Sequence, residues 1–361
     1  MSLTNNQKAF IALVRGGLWN QTIELKQFGC LDYDAILQQA EEQSVVGLVT
    51  AGLELVQDVI IPKEVLLQFI GNTLQLEQRN KEMNVFIPRL FKKLRYEGVD
   101  AVLVKGQSVA QCYEKPLWRA SGDVDLLMGA ENYEKAKKVL FPIAYDIEPE
   151  DTWKKHQALK IMGVEVELHG KMLFGLSRKA DEVIDEVIEK ALYENESLKF
   201  DETAVMPNGD EHVILVFTHY LRHFFIEGVG LRQICDWCRI LWTYGESLNR
   251  GLLESRIKKA GLMTEWKAFG SLAVDALGME ESAMSLYDSR FKAKGKRVLK
   301  RVLKSGNFGH NKDLSYRSKY SGLSYKMVAM WRRFVDFASL MPVFPFDAPK
   351  FYLTYMFGKV K

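Results

Sequence analysis

A small mixed α/β core set between two helical regions is what this sequence predicts, and three observations predict it. Apolar residues recur at helical spacing over residues 1–84 and again from about residue 206 to the end. Short apolar or alternating runs, suited to strands, cluster between residues 99 and 169. Glycines punctuate those runs where a strand must turn into a helix or a hairpin. A chain of 361 residues also exceeds the size at which one hydrophobic core stops growing. The expected division is a helical region 1–84, a mixed core 85–205 and a helical region 206–361.

The N-terminal region carries Phe10, Leu13, Val14 and Leu18 on one helical face, then Tyr33, Ile36, Leu37 and Ala40, then an apolar run from Val45 to Leu55. Pro62 breaks the pattern before Leu66, Leu67 and Ile70. Nothing here suggests chemistry, so packing against the core is its expected role. From Asn84 an amphipathic helix with Val85, Phe86, Leu90, Leu94 and Tyr96 ends at Gly98.

Val99 to Val104 then reads as a buried strand, followed at once by Lys105-Gly106-Gln107-Ser108. A glycine at a strand-to-helix junction permits a tight turn, and free N–H groups at the start of the next helix, expected from Ser108 to Pro116, favour phosphate. Next comes Arg119-Ala-Ser-Gly-Asp-Val-Asp-Leu-Leu-Met128. Residues two apart on a strand share a face, so Asp123 and Asp125 converge on one spot, behind the small residues Ser121 and Gly122. A helix over Glu131–Leu140 follows, and then two strands, Gln157–Met162 and Val164–His169, joined at Gly163. In the second strand Glu165, Glu167 and His169 face away from the apolar Val164, Val166 and Leu168. If the strands are neighbours, a third carboxylate reaches the aspartate pair, and oxygen ligands of this kind suit a hard divalent ion.

A glycine turn opening a helix, Ser121-Gly-Asp-Val-Asp-Leu-Leu127 and a later strand acid resemble the nucleotidyltransferase core shared with DNA polymerase β. More narrowly, Leu103-Val-Lys-Gly106, Arg119 to Leu127, Val166-Glu-Leu-His169 and Leu231-Arg-Gln-Ile-Cys-Asp236 resemble the bacterial uncharacterised nucleotidyltransferase family, over roughly residues 85–245. Abortive-infection nucleotidyltransferase toxins are more distant relatives with a similar Lys-Gly turn. The resemblance implies an α+β nucleotidyltransferase core that moves an NMP from an NTP to a hydroxyl acceptor, releasing pyrophosphate. It implies two Mg²⁺ ions, or Mn²⁺, bridged by Asp123 and Asp125, with Glu167 rather than Glu165 as the third ligand, since Glu167 precedes Leu-His as the family's acid does. Where typical superfamily members carry Gly-Ser, this chain carries Lys105-Gly106; the lysine either adds charge toward the triphosphate or pairs with an acid. The same fold also fits a nucleotide-binding scaffold without turnover, or a toxin-type enzyme acting on RNA.

Arg119, just upstream of the acids, is placed either to grip phosphate oxygens or to pair with Asp123 or a neighbouring acid. His169 either orients the acids, contacts substrate or is structural. In the helical half, Arg232 and Asp236 lie one turn apart and offer an ion pair or a cation for phosphate. His219 and His223, also one turn apart, join them as candidates for the second wall of a nucleotide cleft. Cys235 and Cys238 with those histidines supply zinc-ligand types, but the cysteines fall in an apolar helical pattern with Ile234, Trp237 and Leu241, so a core role is expected.

The remaining segments are read as solvated or packing surface. An acidic helix spans about 176–200, Asp210 is placed to cap the helix containing Val213 to Phe225, and Lys292–Lys304 forms a basic amphipathic helix whose charges are read first as solvated, with a nucleic-acid backbone as the alternative partner. The segment from Phe334 onward is aromatic, with Pro342, Pro345 and Pro349, and is expected to dock on the core or a partner. A net charge of +3 does not demand a nucleic-acid partner. Four cysteines are no disulfide framework, and neither a signal-peptide pattern nor a bilayer-length apolar run is present, so a cytoplasmic location is expected.

Overall fold

A computed structural model describes residues 3–152, 155–172, 175–194, 197–311, 319 and 321–357. Four helices come first: α1 (Asn5–Trp19), α2 (Tyr33–Glu42), α3 (Val46–Leu53) and α4 (Lys63–Tyr96). The last is one continuous helix of 34 residues, Pro88 included. It therefore runs straight through position 84, where the sequence pattern suggested a change of region. Its N-terminal half packs with the first three helices, and its C-terminal half, through Met83, Phe86, Ile87 and Leu90, packs on the sheet.

The sheet has strands β1 (Val102–Val104), β2 (Asp123–Leu127), β3 (Asp146–Ile147), β4 (His156–Ile161) and β5 (Val164–His169), in the spatial order β1-β2-β5-β4-β3. Only the β2–β5 pair is parallel; the others are antiparallel. The register sets Asp125 opposite Glu167 and Asp123 opposite Glu165. The β4–β5 hairpin turns on Met162 and Gly163, both with positive φ, which is the conformation a two-residue hairpin loop requires. The expected adjacency of the two acidic strands is thus present.

Alternation splits the sheet into two chemically different faces. Val124, Leu126, Val166, Leu168, Leu159 and Ile161 form one face, buried against α4 and α6 (Ala130–Leu140). Asp123, Asp125, Glu167 and His169 occupy the other. That face meets the C-terminal helical body, in which α8 (Gly209–Ile226) and α9 (Leu231–Tyr244) pack side by side.

Local expectations need three corrections. The helix expected from Ser108 to Pro116 is a single short turn, α5 (Gly106–Ala110). The chain tightens there, with Cys112 N–H donating to Val109 C=O and Tyr113 N–H to Ala110 C=O, and this carries Tyr113 inward to Asp236. The cap of α8 is Asn208, not Asp210: the Asn208 side chain accepts from the N–H groups of Asp210 and Glu211, while Asp210 accepts from Asn249 N–H. The acidic helix is α7 (Arg178–Tyr193), shorter than the acidic stretch that predicts it.

After α10 (Arg250–Ala260) and α11 (Met263–Asp275), the basic stretch forms α12 (Lys292–Ser305) as expected. Val298, Leu299, Val302 and Leu303 are buried, while Lys296, Arg297, Lys300 and Lys304 are exposed. Two further helices, α13 (Gly322–Ala338) and α14 (Asp347–Phe357), close the described chain. Phe337, Phe344 and Phe351 of this aromatic segment dock against Phe225, and residues 358–361 lie outside the described residues. No described helix is long and apolar enough to cross a membrane.

Candidate active site

Three backbone segments deliver the acids and their cationic neighbours. Strand β2 presents Asp123 and Asp125, β5 presents Glu167 and His169, and the turn after β1 presents Lys105. One ligand oxygen from each of Asp123, Asp125 and Glu167 can be chosen so that all lie within 4.8 Å of one another. Among the described residues Glu165 belongs to no such group, although it shares the strand face. The Lys105 ammonium contacts Asp125 Oδ1, so of the two uses foreseen for this lysine the ion pair is the one observed.

The Lys105 backbone is unusual. Its φ of 57° and ψ of −152° lie in a region that glycine alone adopts without strain. Gly106, at φ 38°, leaves no more than 3.1 Å between an added Cβ and Asp123 C=O. The turn is therefore pressed against the start of β2, which is what holds the lysine over the acids.

The loop ahead of β2 is fastened from two sides, by α4 and by α9. Asn80, wholly buried on α4, donates to Leu117 and Arg119 C=O; Arg79 donates to Gly122 C=O; Arg232 Nη1 donates to Ala120 C=O. Arg119 is buried, with Nε and Nη2 on Asp236 and Nη1 on Ser121 Oγ. The ion pair foreseen for Arg119 is thus made, but with an acid of α9 rather than with Asp123. For the same reason Arg232 and Asp236 do not pair with each other. Arg232 Nε is buried and makes no hydrogen bond among the described residues.

Electrostatics set these groups apart from ordinary surface acids. Asp123 is pushed up to about 6, first by the neighbouring Asp125 charge and then by burial, against the pull of Lys105 and Arg232. Burial would raise Glu167 as well, yet its contacts with His156, His169 and Lys105 hold it far below the usual carboxylate range. Burial disfavours charge on Lys105 and His169; for Lys105 the surrounding acids outweigh this, and for His169 the hydrogen bonds to Asp125 and Glu167 do so, leaving both raised.

A cavity opens above Asp123 and Asp125, walled by Lys105, Arg119, Arg232 and Asp236 and, from α8, by His219. His219 and His223 rings meet with Nε2 atoms 3.1 Å apart, and His223 Nδ1 contacts Glu227. Burial holds both histidines below their ordinary range. Of the predicted site residues, Gln107 and Ser108 lie elsewhere: Gln107 donates to Asn80 Oδ1, and Ser108 Oγ donates to Lys105 C=O, close to His212. Gly122 is not required by crowding, since an added Cβ would meet nothing within 4 Å. Cys235 and Cys238 are both fully buried in the helical core, and no described metal-ligand group includes them.

Residues beyond those predicted also take part, among them Phe308 at the cavity and His156 beside Glu167. Phe308 closes the cavity from beyond α12, and an isolated aromatic after a basic helix carries no signal of that. His156 lies 3.2 Å from Glu167 Oε2 and pairs across the hairpin with His169. A signal for it exists: equal counting outward from the Met162-Gly163 turn puts position 156 opposite 169.

The donor set fits a hard divalent cation. Of the three clustered carboxylates, Asp123 and Asp125 line a cavity that also offers lysine and arginine, the combination in which Mg²⁺ is shared between protein oxygens and phosphate. This is a carboxylate cluster able to hold a metal ion, set on a small mixed sheet. The chain belongs to the uncharacterised nucleotidyltransferase family, whose model matches residues 29–278. The match is wider than residues 85–245 and takes in α2 to α4 as well as α10 and α11. No curated protein and no solved structure matches the chain.

Proposed function

We propose that the protein is a Mg²⁺-dependent enzyme that transfers an NMP from an NTP to a hydroxyl acceptor. The observation that carries this reading is the convergence of Asp123, Asp125 and Glu167, the first two of which line a cavity that Lys105 and Arg232 also line. In the reaction the acceptor oxygen bonds to the α-phosphorus, the bond to the leaving pyrophosphate breaks, and the hydroxyl proton passes to a base. Mg²⁺ held there would neutralise charge on the phosphate oxygens and lower the pKa of the attacking hydroxyl.

The chain's own residues supply the rest. Asp123 and Asp125 hold the cation-binding oxygens in place on a rigid central strand. Glu167, kept ionised by its cationic neighbours, adds the third carboxylate as a ligand; so acidic a group relays the hydroxyl proton onward to water rather than keeping it. Arg232, with a carbonyl partner and an Nε that makes no hydrogen bond among the described residues, is the cation for triphosphate oxygens; Lys105, beside Asp125, would be a second. Arg119 positions the loop through Asp236 rather than gripping phosphate. His219 lines the substrate side with His223 behind it, both favoured as neutral by burial.

The test is direct. The purified chain is titrated with each NTP with and without Mg²⁺, and pyrophosphate release is followed in a cytoplasmic extract containing acceptors. Mg²⁺-dependent binding and release that disappear in Asp123→Ala and Asp125→Ala support the reading. A folded protein that binds no NTP overturns it.

A further inference from the structure

Beside the three-carboxylate group lies a second one of different chemistry. His156, Glu167 and His169 each offer one ligand atom, all within 4.8 Å of one another. Their side chains come from adjacent strands whose register places the two histidines opposite each other, with ring centroids 4.9 Å apart. Glu167 Oε2 is 3.2 Å from His156 Nε2 and 3.3 Å from His169 Nε2. Metal–ligand bonds near 2.0 Å in a tetrahedral site give ligand–ligand edges of about 3.3 Å, so these spacings need little adjustment to enclose an ion. The histidine rings are the part of this arrangement that Mg²⁺ does not explain, because Mg²⁺ takes oxygen ligands and holds nitrogen poorly.

We propose that His156, Glu167 and His169 form a nitrogen-bearing cation site, selective for a first-row transition-metal dication over Mg²⁺, beside the all-oxygen site of Asp123 and Asp125. The inference rests on the Proposed function only through the shared Glu167, whose two oxygens can serve both neighbours. His156 belongs to the nitrogen-bearing site alone. Its side chain is 31% exposed, which leaves an approach for an ion from solvent. His169 is the boundary residue, since its Nε2 also contacts Asp125 Oδ1 at 2.7 Å. The center would therefore be asymmetric, with one ion held by oxygens for the triphosphate and one held partly by imidazole.

The probes are Mn²⁺ alone and Co²⁺ alone on the full chain. Pulsed electron paramagnetic resonance on bound Mn²⁺ should detect two directly coordinated imidazole nitrogens, falling to one in His156→Gln and to one in His169→Gln. Co²⁺ affinity, followed by its visible absorption, should weaken at least tenfold in His156→Gln. Asp123→Asn, which disables the all-oxygen site, should keep both nitrogen couplings while losing Mg²⁺–ATP binding. A nitrogen-free Mn²⁺ spectrum, or unchanged Co²⁺ affinity in a folded His156→Gln, would overturn the proposal and leave the histidines as hydrogen-bond partners of Glu167. Failure of the nucleotide reading looks different: nitrogen-coupled Mn²⁺ persists in a protein that binds no Mg²⁺–ATP.

Discussion

Arg119 and Asp236 form a two-pronged ion pair, Nε to Oδ1 at 3.0 Å and Nη2 to Oδ2 at 2.6 Å, with both side chains 4% exposed. It ties the loop that precedes β2 to helix α9, and Tyr113 Oη donates to the same carboxylate at 2.8 Å. Removing one partner of such a pair strands a buried charge, which typically costs about 3–5 kcal/mol. Asp236→Ala should therefore lower unfolding free energy by about that amount in urea denaturation. The double variant Arg119→Met, Asp236→Leu should recover most of it, because neither charge is then left buried.

At Asp123 the same physics predicts the opposite sign. Its charged form is disfavoured in the folded chain by Asp125 and burial, with the pKa pushed up to about 6. A tenfold change in acidity corresponds to about 1.4 kcal/mol. Asp123→Asn should accordingly raise the melting temperature at neutral pH, consistent with a gain of up to about 3 kcal/mol, while Mg²⁺-dependent nucleotide binding disappears. Calorimetry paired with an ATP titration reads both effects. A fall in melting temperature would mean that Asp123 is a structural ion-pair member instead of a strained ligand.

How far the site was legible follows from which contacts are local. Asp123 and Asp125 share a face by strand alternation alone, and the two-residue turn at Gly163 fixes the β4–β5 hairpin, so the acid-bearing strands could be read directly. The β2–β5 pairing, by contrast, spans a helix and a hairpin, and nothing local specifies it. The resemblance supplied that adjacency and the choice of Glu167 over Glu165. Arg119 meeting Asp236 was not legible, because a contact between residues 117 apart depends on how α9 packs. Helical spacing favoured Arg232 for Asp236, and the bidentate fork of Arg119 outcompeted it. The continuity of α4 was missed for a related reason: its two halves bury different faces in different cores, and the change in apolar pattern looks like a boundary.

A second buried acid offers a pH test away from the cavity. Glu265 is fully buried on α11, and neither carboxylate oxygen meets a hydrogen-bond partner among the described residues. Burial, reinforced by the Asp347 charge, raises its pKa well above the ordinary value. A carboxyl whose folded pKa exceeds its unfolded one favours the fold below the unfolded pKa, near 4.3. That advantage is lost as pH rises through the folded value. Glu265→Gln should thus stabilise the protein at pH 7.5, by about 1–3 kcal/mol, with the difference vanishing by about pH 4. Urea midpoints of both proteins at the two pH values check it; equal midpoints at pH 7.5 would refute it.

Lys105 gives a prediction in which two ligands respond in opposite directions. Its ammonium contacts Asp125, one of the oxygens a divalent ion would need, so lysine and ion compete for the same carboxylate. Lys105→Met keeps the apolar stem and removes the charge. Mg²⁺ alone should then bind more tightly, since Asp125 no longer has a resident partner. The Mg²⁺–ATP complex should bind about tenfold more weakly, a loss of about 1.4 kcal/mol, because the displaced ammonium is no longer there to meet the triphosphate. Isothermal titration with MgCl₂ and with Mg²⁺–ATP separates the two effects. If both affinities fell, Lys105 would be holding the carboxylates in place; if both rose, it would be only a competitor with no contact to phosphate.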